Sequence, residues 1–198
     1  SGRPAHSKGL LDQSKATATA NVDVLADRVA DGWDIVSVEP SDAVMYQDDY
    51  LDLLSGDAVE RVASNTYSVL EYIDSFRLDD ALDTTADATL SYHGHCHQTA
   101  ASREHHAVGV LRRVGYTVDV LDTTCCGMAG SFGYEAEHYS MSQAIGQLLY
   151  DAVEDSPAGE VVAPGTSCRS QLGDMSRYDG QPSHPIEKVS EALCWCGQ

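Results

Sequence analysis

Two adjacent cysteines, Cys125 and Cys126, lead into the glycine-rich run "CCGMAGSFGYE". Neighbouring cysteines rarely bond to each other, because the ring so formed strains the peptide between them. Their chemistry is therefore sought with other thiols, and Cys96 and Cys168 are the candidates. Each of the four follows a stretch that reads as a strand: Cys96 after "ATLSYHG", Cys125 and Cys126 after "YTVDVLD", and Cys168 after "GEVVAPG". In an open α/β sheet the carboxyl ends of the strands form the ligand crevice, so residues distant in sequence would meet there. Helix N-termini at that edge favour the thiolate, which is the metal-binding form. Four thiolates at one edge suit either zinc or an iron–sulfur cluster. Spacing favours the cluster, since none of the four lies in a CxxC knuckle of the structural-zinc kind. Side chains of neighbouring residues in extended chain also diverge unless a turn redirects them, and Gly127 and Gly130 supply that turn. A multi-iron centre takes ligands from diverging directions more readily than one small zinc ion.

The segment "SYHGHCHQ" surrounds Cys96 with His93, His95 and His97. Loop histidines ordinarily cap or pack; His93, His95, His97 and His184 of "SHPIE" are alike in their chance of touching a bound group, and His95, His97 and His184 are the candidates to lie around the ligands. His105, His106 and His138 read as structural. The terminal "CWCG", with Cys194 and Cys196, is too short to chelate alone. The glycine loop lacks both a dinucleotide fingerprint and a P-loop lysine, so phosphate binding is a weak alternative.

Alternating strands and helices must position these groups. Helical spacing is expected over residues 7–31, 43–54, 57–76, 98–113 and 135–153, the last through Met141, Ala144, Ile145, Leu148 and Ala152. Strands are expected in "DIVSVEP" and in the three stretches before the cysteines, and Pro185 opens a short closing helix. The fold class is α/β, with mainly parallel sheets flanked by helices. An internal repeat underlies it: residues 1–27 resemble residues 126–152, and "EPSD" ends one copy where "PGTSC" ends the other. Gly2 precedes Asp42 by 40 positions and Gly127 precedes Cys168 by 41. Two pseudo-repeated units follow, the first truncated: residues 1–83 and residues 84–198, joined at the polar stretch "LDDALDTTADA". The chain is expected to be a fragment of a longer protein.

Composition limits the function classes. The 198 residues carry 31 Asp and Glu against 12 Lys and Arg, a formal net charge of −19. That argues against nucleic-acid binding, which needs a basic footprint. Acidic residues spread over the whole chain keep a surface hydrated in a salty cytoplasm and fit a halophilic source. No apolar run approaches the ~20 residues that span a bilayer, so a cytoplasmic chain without direct membrane insertion is expected, peripheral to a membrane only through a partner. Six cysteines in a chain that needs no disulfide staples point to metal or redox use.

Together "HGHCHQ", "CCGMAGSFGYEAEHY", "APGTSC" and "HPIE" resemble the cysteine-rich CCG domain, found in heterodisulfide reductase B/D subunits and in the iron–sulfur parts of FAD-linked glycolate, D-lactate and glycerol-3-phosphate dehydrogenases. The resemblance implies that Cys96, Cys125, Cys126 and Cys168 hold an iron–sulfur cluster, of 4Fe–4S type, with Gly127 shaping the loop. It implies FAD in a partner oxidase domain, and ferredoxin-like domains or subunits beside it. Electrons would pass from the flavin toward a quinone or a disulfide acceptor, and the fragment alone would catalyse nothing. Gly165 stands where the family often has the first cysteine of a CxxC pair, which leaves four ligands. Asp42 stands at the matching cysteine of the first unit, and Ser1 at its vicinal-cysteine position. Two other uses of the same residues stay open: a zinc-binding structural module, and a thiol–disulfide enzyme working through Cys125 and Cys126.

Overall fold

The computed structural model describes residues 1–123, 125–175 and 180–194. The chain separates into two compact units, Ser1–Val69 and Leu70–Gln198. The division falls ahead of the polar stretch 78–88. That stretch looks like a linker by composition, but the second unit binds it: Asp79 is held by Arg113, Thr85 N–H donates to Ala192 O, and Ala86 N–H donates to Val114 O.

In the first unit, helices α1 (Arg3–Ser7) and α2 (Leu11–Ala30) are parted by Gly9 at φ 73°, so the helix expected over 7–31 begins at Leu11. Strand β1 (Ile35–Ser37) leads through Glu39, whose side chain caps α3 (Pro40–Val44), into a π-helical turn at Met45–Asp49 and α4 (Tyr50–Leu53). Helical spacing over 57–76 predicts one helix, yet α5 (Asp57–Ser64) stops and strand β2 (Thr66–Ser68) intervenes. The reason is tertiary. Parallel pairing places Ile35 opposite Thr66, and the buried Gln47 amide donates to Thr66 O at 2.9 Å, which outweighs local periodicity. The core joins Ala18, Val22 and Ala26 of α2 to Met45, Tyr50, Val59 and Val62.

The division falls one residue into α6 (Val69–Ser75), after which the second unit continues with a 3₁₀ turn at Leu78–Ala81. Then follow β3 (Thr89–Tyr92), α7 (Cys96–Ala100), α8 (His105–Arg113), β4 (Thr117–Val120), a 3₁₀ turn at Phe132–Tyr134 and α9 (Tyr139–Asp155). Strand β5 (Glu160–Val162), α10 (Thr166–Gly173) and α11 (Pro185–Glu191) complete it. The three strands form a parallel sheet in the order β4-β3-β5. The fold is α/β, with parallel sheets flanked by helices.

Two expectations need correction here. The helix over 98–113 is two helices, broken where Ser102 takes φ 56°. The buried face of α9 is Ser142, Gly146, Leu149 and Val153, not the face of Met141 and Leu148, which are exposed. Hydrophobicity misled because the inner face is small: the Gly127 backbone lies against Ser142 O and Gly146 N, and bulkier residues could not admit it. Among the described residues no helix is long and apolar enough to cross a membrane.

Candidate metal centre

Sheet order explains why the cysteines meet. The chain leaves β3 at Tyr92, β4 at Val120 and β5 at Val162, three adjacent parallel strands with their carboxyl ends on one edge. His93 N–H donates to Val162 O and Leu121 N–H donates to Tyr92 O, which prolongs the ladder one residue beyond β3 and β4. Cys96 then begins α7, with His95 as its N-cap, and Cys168 is the third residue of α10, after Gly165 as N-cap. Cys125 and Cys126 lie in the turn after β4, where Gly127 takes φ 92°. A Cβ on Gly127 would overlap Ser142 O, so the left-handed backbone and the close approach to α9 both demand glycine.

Each of the four thiols shifts the ionisation of the next, Cys96 with Cys125, Cys125 with Cys126, and Cys126 with Cys168. Cys126 and Cys168 belong to the core, among Leu121, Met128, Leu149 and Leu172. Cys125 is held far below the ordinary thiol range, first by its bonds from Cys126 and Cys96, and its sulfur also accepts the Gly127 N–H at 3.3 Å. Cys168 is likewise lowered, first by Cys126 and then, against burial, by His93. Cys96 and Cys126 are raised, because each shares its proton with a neighbouring thiolate and is partly desolvated. Negative sulfurs crowded together, with Cys168 buried and Cys125 half-buried, need S–H protons or a positive charge beside them. A cation or a cationic cluster core neutralises the same charge, so the donor set fits a thiolate-bound metal group.

The histidines divide by role. His95 Nδ1 accepts the His97 N–H at 3.3 Å, the two rings stand 5.2 Å apart, and the His95 ring faces Cys168 across Gly165. A Cβ on Gly165 would overlap the His95 ring and lie 3.3 Å from Cys168 Sγ. His95 thus fills the place a residue-165 side chain would take. His184 works in the capping box of α11, its Nδ1 accepting the Ile186 N–H at 3.0 Å and its N–H donating to Glu187. His93 is the residue that sequence reasoning undervalued. It is 1% exposed, its Nδ1 meets Thr123 Oγ1 at 2.8 Å, and its ligand nitrogen lies within 4.8 Å of the sulfurs of Cys126 and Cys168. Cys194 meets Thr85 at 3.4 Å, and Cys196 lies outside the described residues.

Residues 90–173 match the cysteine-rich domain family CCG. The chain contains a CCG domain. Beyond it, the chain is 29% identical over 196 residues to D-2-hydroxyglutarate dehydrogenase of Escherichia coli K12, covering 97% of this chain and 19% of that protein. It is 28% identical over 198 residues to one subunit of the anaerobic glycerol-3-phosphate dehydrogenase of the same organism, covering 97% of this chain and 49% of that relative. The Haemophilus influenzae D-2-hydroxyglutarate dehydrogenase is 26% identical over 201 residues, at 97% and 19% coverage. The chain therefore spans a fifth to a half of the curated relatives it matches. The CCG match contains Cys96, Cys125, Cys126, Cys168 and His93, and it ends with α10.

Proposed function

We propose that this CCG domain is the iron–sulfur electron-transfer part of an FAD-linked oxidoreductase of 2-hydroxy acid or glycerol-3-phosphate dehydrogenase type. The observation that carries it is the placement of Cys96, Cys125, Cys126 and Cys168 just beyond three adjacent strand ends, with the Cys126 and Cys168 sulfurs within 4.8 Å of each other. These four would hold the group, of 4Fe–4S type. When bound, it supplies a reversible one-electron site between the flavin and a quinone or disulfide acceptor. The protein's part is to fix the ligands through Gly127 and the α7 and α10 turns, and to bury Cys126 and Cys168 away from water.

FAD then belongs to a partner domain, with ferredoxin-like domains or subunits beside it, and the 198 residues alone have no dehydrogenase turnover. The setting is cytoplasmic, peripheral to a membrane only through partners, in a salty interior that suits the acidic surface. In the complete protein, Cys168→Ser should leave reduction of the flavin by substrate intact and stop its reoxidation by a quinone. Reoxidation at the wild-type rate would overturn the relay.

A duplicated origin belongs to the same proposal, with a first unit that lost its thiols. Gly2 at φ 85° lies against Ser14 of α2, as Gly127 at φ 92° lies against Ser142 of α9. Asp42 is the third residue of α3, as Cys168 is of α10, and Ser1 Oγ donates to Asp42 where Cys126 bonds Cys168. Strand β1 pairs in parallel with β2 ahead of α6, as β5 bridges Ser183 ahead of α11.

A zinc-binding structural module is the second reading. The grouping of His93, Cys126 and Cys168 within 4.8 Å favours it, since mixed nitrogen and sulfur ligands suit zinc. It predicts one zinc per chain, no sulfide, and loss of folding free energy on chelation.

A further inference from the structure

We propose that His93 is a positioning residue whose Nε2–H is aimed at the sulfurs of Cys168 and Cys126, so that it donates to the ligand sulfurs of the bound group. The proposal rests on the iron–sulfur reading for its redox consequence, but its geometry belongs to the chain. His93 follows β3, and its backbone N–H is fixed on Val162 O of the neighbouring strand. Its Nδ1 is engaged by the hydroxyl of Thr123, at 2.8 Å, in the segment between β4 and Cys125. A hydroxyl that donates to Nδ1 leaves the ring proton on Nε2.

That second nitrogen is buried and has no hydrogen-bond partner of ordinary geometry. A polar atom so enclosed costs free energy unless something answers it, and such groups mark strain or an interaction with a bound species. The metal-ligating groups beside the ring are the sulfurs of Cys126 and Cys168. A ring nitrogen of His93 and both sulfurs lie within 4.8 Å of one another, and Nε2 is left without a full hydrogen bond. The other ring beside Cys168, His95, is tied to the α7 turn through its Nδ1.

A donor to a ligand sulfur withdraws negative charge and stabilises the reduced, more negative state of a cluster. His93→Leu should therefore bind iron and sulfide in wild-type amounts with the reduction potential shifted to more negative values. His93→Gln, which keeps an N–H on a side chain of similar reach, should recover most of the shift. Thr123→Val, which frees Nδ1 while sparing the core, should move the potential in the same direction by less. An unchanged potential in His93→Leu with a full cluster would reduce His93 to packing and overturn the proposal. The second arm uses protein carrying 15N-labelled histidine and loaded with 113Cd2+, and reads the ring nitrogens by NMR. Nε2 should keep its proton. A deprotonated Nε2 with direct 113Cd–15N coupling would make His93 a ligand instead of a donor, and would overturn the proposal too. Because the cadmium arm needs only thiolates, it judges His93 even if the protein takes up no iron or sulfide, and that last result would fall on the iron–sulfur reading alone.

Discussion

Gly127 and Gly165 shape the thiol centre by having no side chain. At Gly127 the backbone takes φ 92° and presses on Ser142 O. Gly127→Ala should cost more than about 1 kcal/mol, because alanine is strained at positive φ and its Cβ has no room. Since Cys125 and Cys126 ride on this turn, metal content should fall together with the melting temperature; retention of both would mean that the turn tolerates a side chain. At Gly165 the His95 ring occupies the space. The placement of the four thiols and Gly127 just beyond the strands was legible in the sequence, because alternating strands and helices put such junctions on one edge of a parallel sheet. His93 was not legible, since three histidines alternate with Cys96 and nothing in their spacing tells them apart. The parallel pairing that fixes its N–H on Val162 O, and the Thr123 hydroxyl, single it out only in the folded chain.

At the scale of elements, helix α9 shows how a hydrophobicity pattern can select the wrong face. Leu148 is 67% exposed, whereas its neighbour Leu149 is fully buried in the cluster around Cys126 and Cys168. Leu149→Ala should cost about 2–5 kcal/mol, as large-to-small core changes do, and Leu148→Ala within about 0.5 kcal/mol of nothing. Equal effects in denaturant titrations would return the face to Met141 and Leu148. Strand β2 escaped detection for a related reason: three residues give no usable period, and the pairing that defines them comes from β1. A second element-level feature is the junction of α6, the Leu78–Ala81 turn and α8. Arg113 bonds Asp79 at 2.5 Å and Asp74 at 2.5 Å, and His106 bonds Asp74 at 2.7 Å. The Asp79 side chain is almost fully enclosed, so Arg113→Ala strands a buried carboxylate at about 2–3 kcal/mol, below the cost for a wholly buried pair because Arg113 itself is partly exposed.

The same junction responds to acid. Burial works to raise Asp74, but bonds from His106 and Arg113 outweigh it and hold the carboxyl below its ordinary 3.8. A carboxylate lowered in the folded state contributes stability that is present above its unfolded pKa and disappears as pH falls through the folded value. Stability should therefore decline below pH about 4, and by less in Asp74→Asn. An identical acid limb in that variant would remove Asp74 from the account.

For the whole molecule, charge and cofactor are the properties that matter. Thirty-one acidic against twelve basic side chains make self-repulsion a standing cost, and salt screens it within about 8 Å at physiological ionic strength and about 3 Å at 1 M. The melting temperature should rise steadily with potassium chloride toward molar concentration; a flat response would separate the acidic surface from salt adaptation. The α/β class could be read from alternating strands and helices, because such alternation has few packed solutions. The division of the chain could not, since the acidic stretch 78–88 looks like a linker until Arg113 and the end of α11 are seen to hold it.

The most direct test is the iron and acid-labile sulfide content of the anaerobically reconstituted protein, with its absorption spectrum, beside Cys126→Ser and Cys194→Ser. Four thiolate ligands predict about four iron and four sulfide per chain with a broad brown absorption, lost in Cys126→Ser and kept in Cys194→Ser. One zinc with no sulfide and no colour after reconstitution would contradict an electron-relay centre and leave a structural metal site in its place.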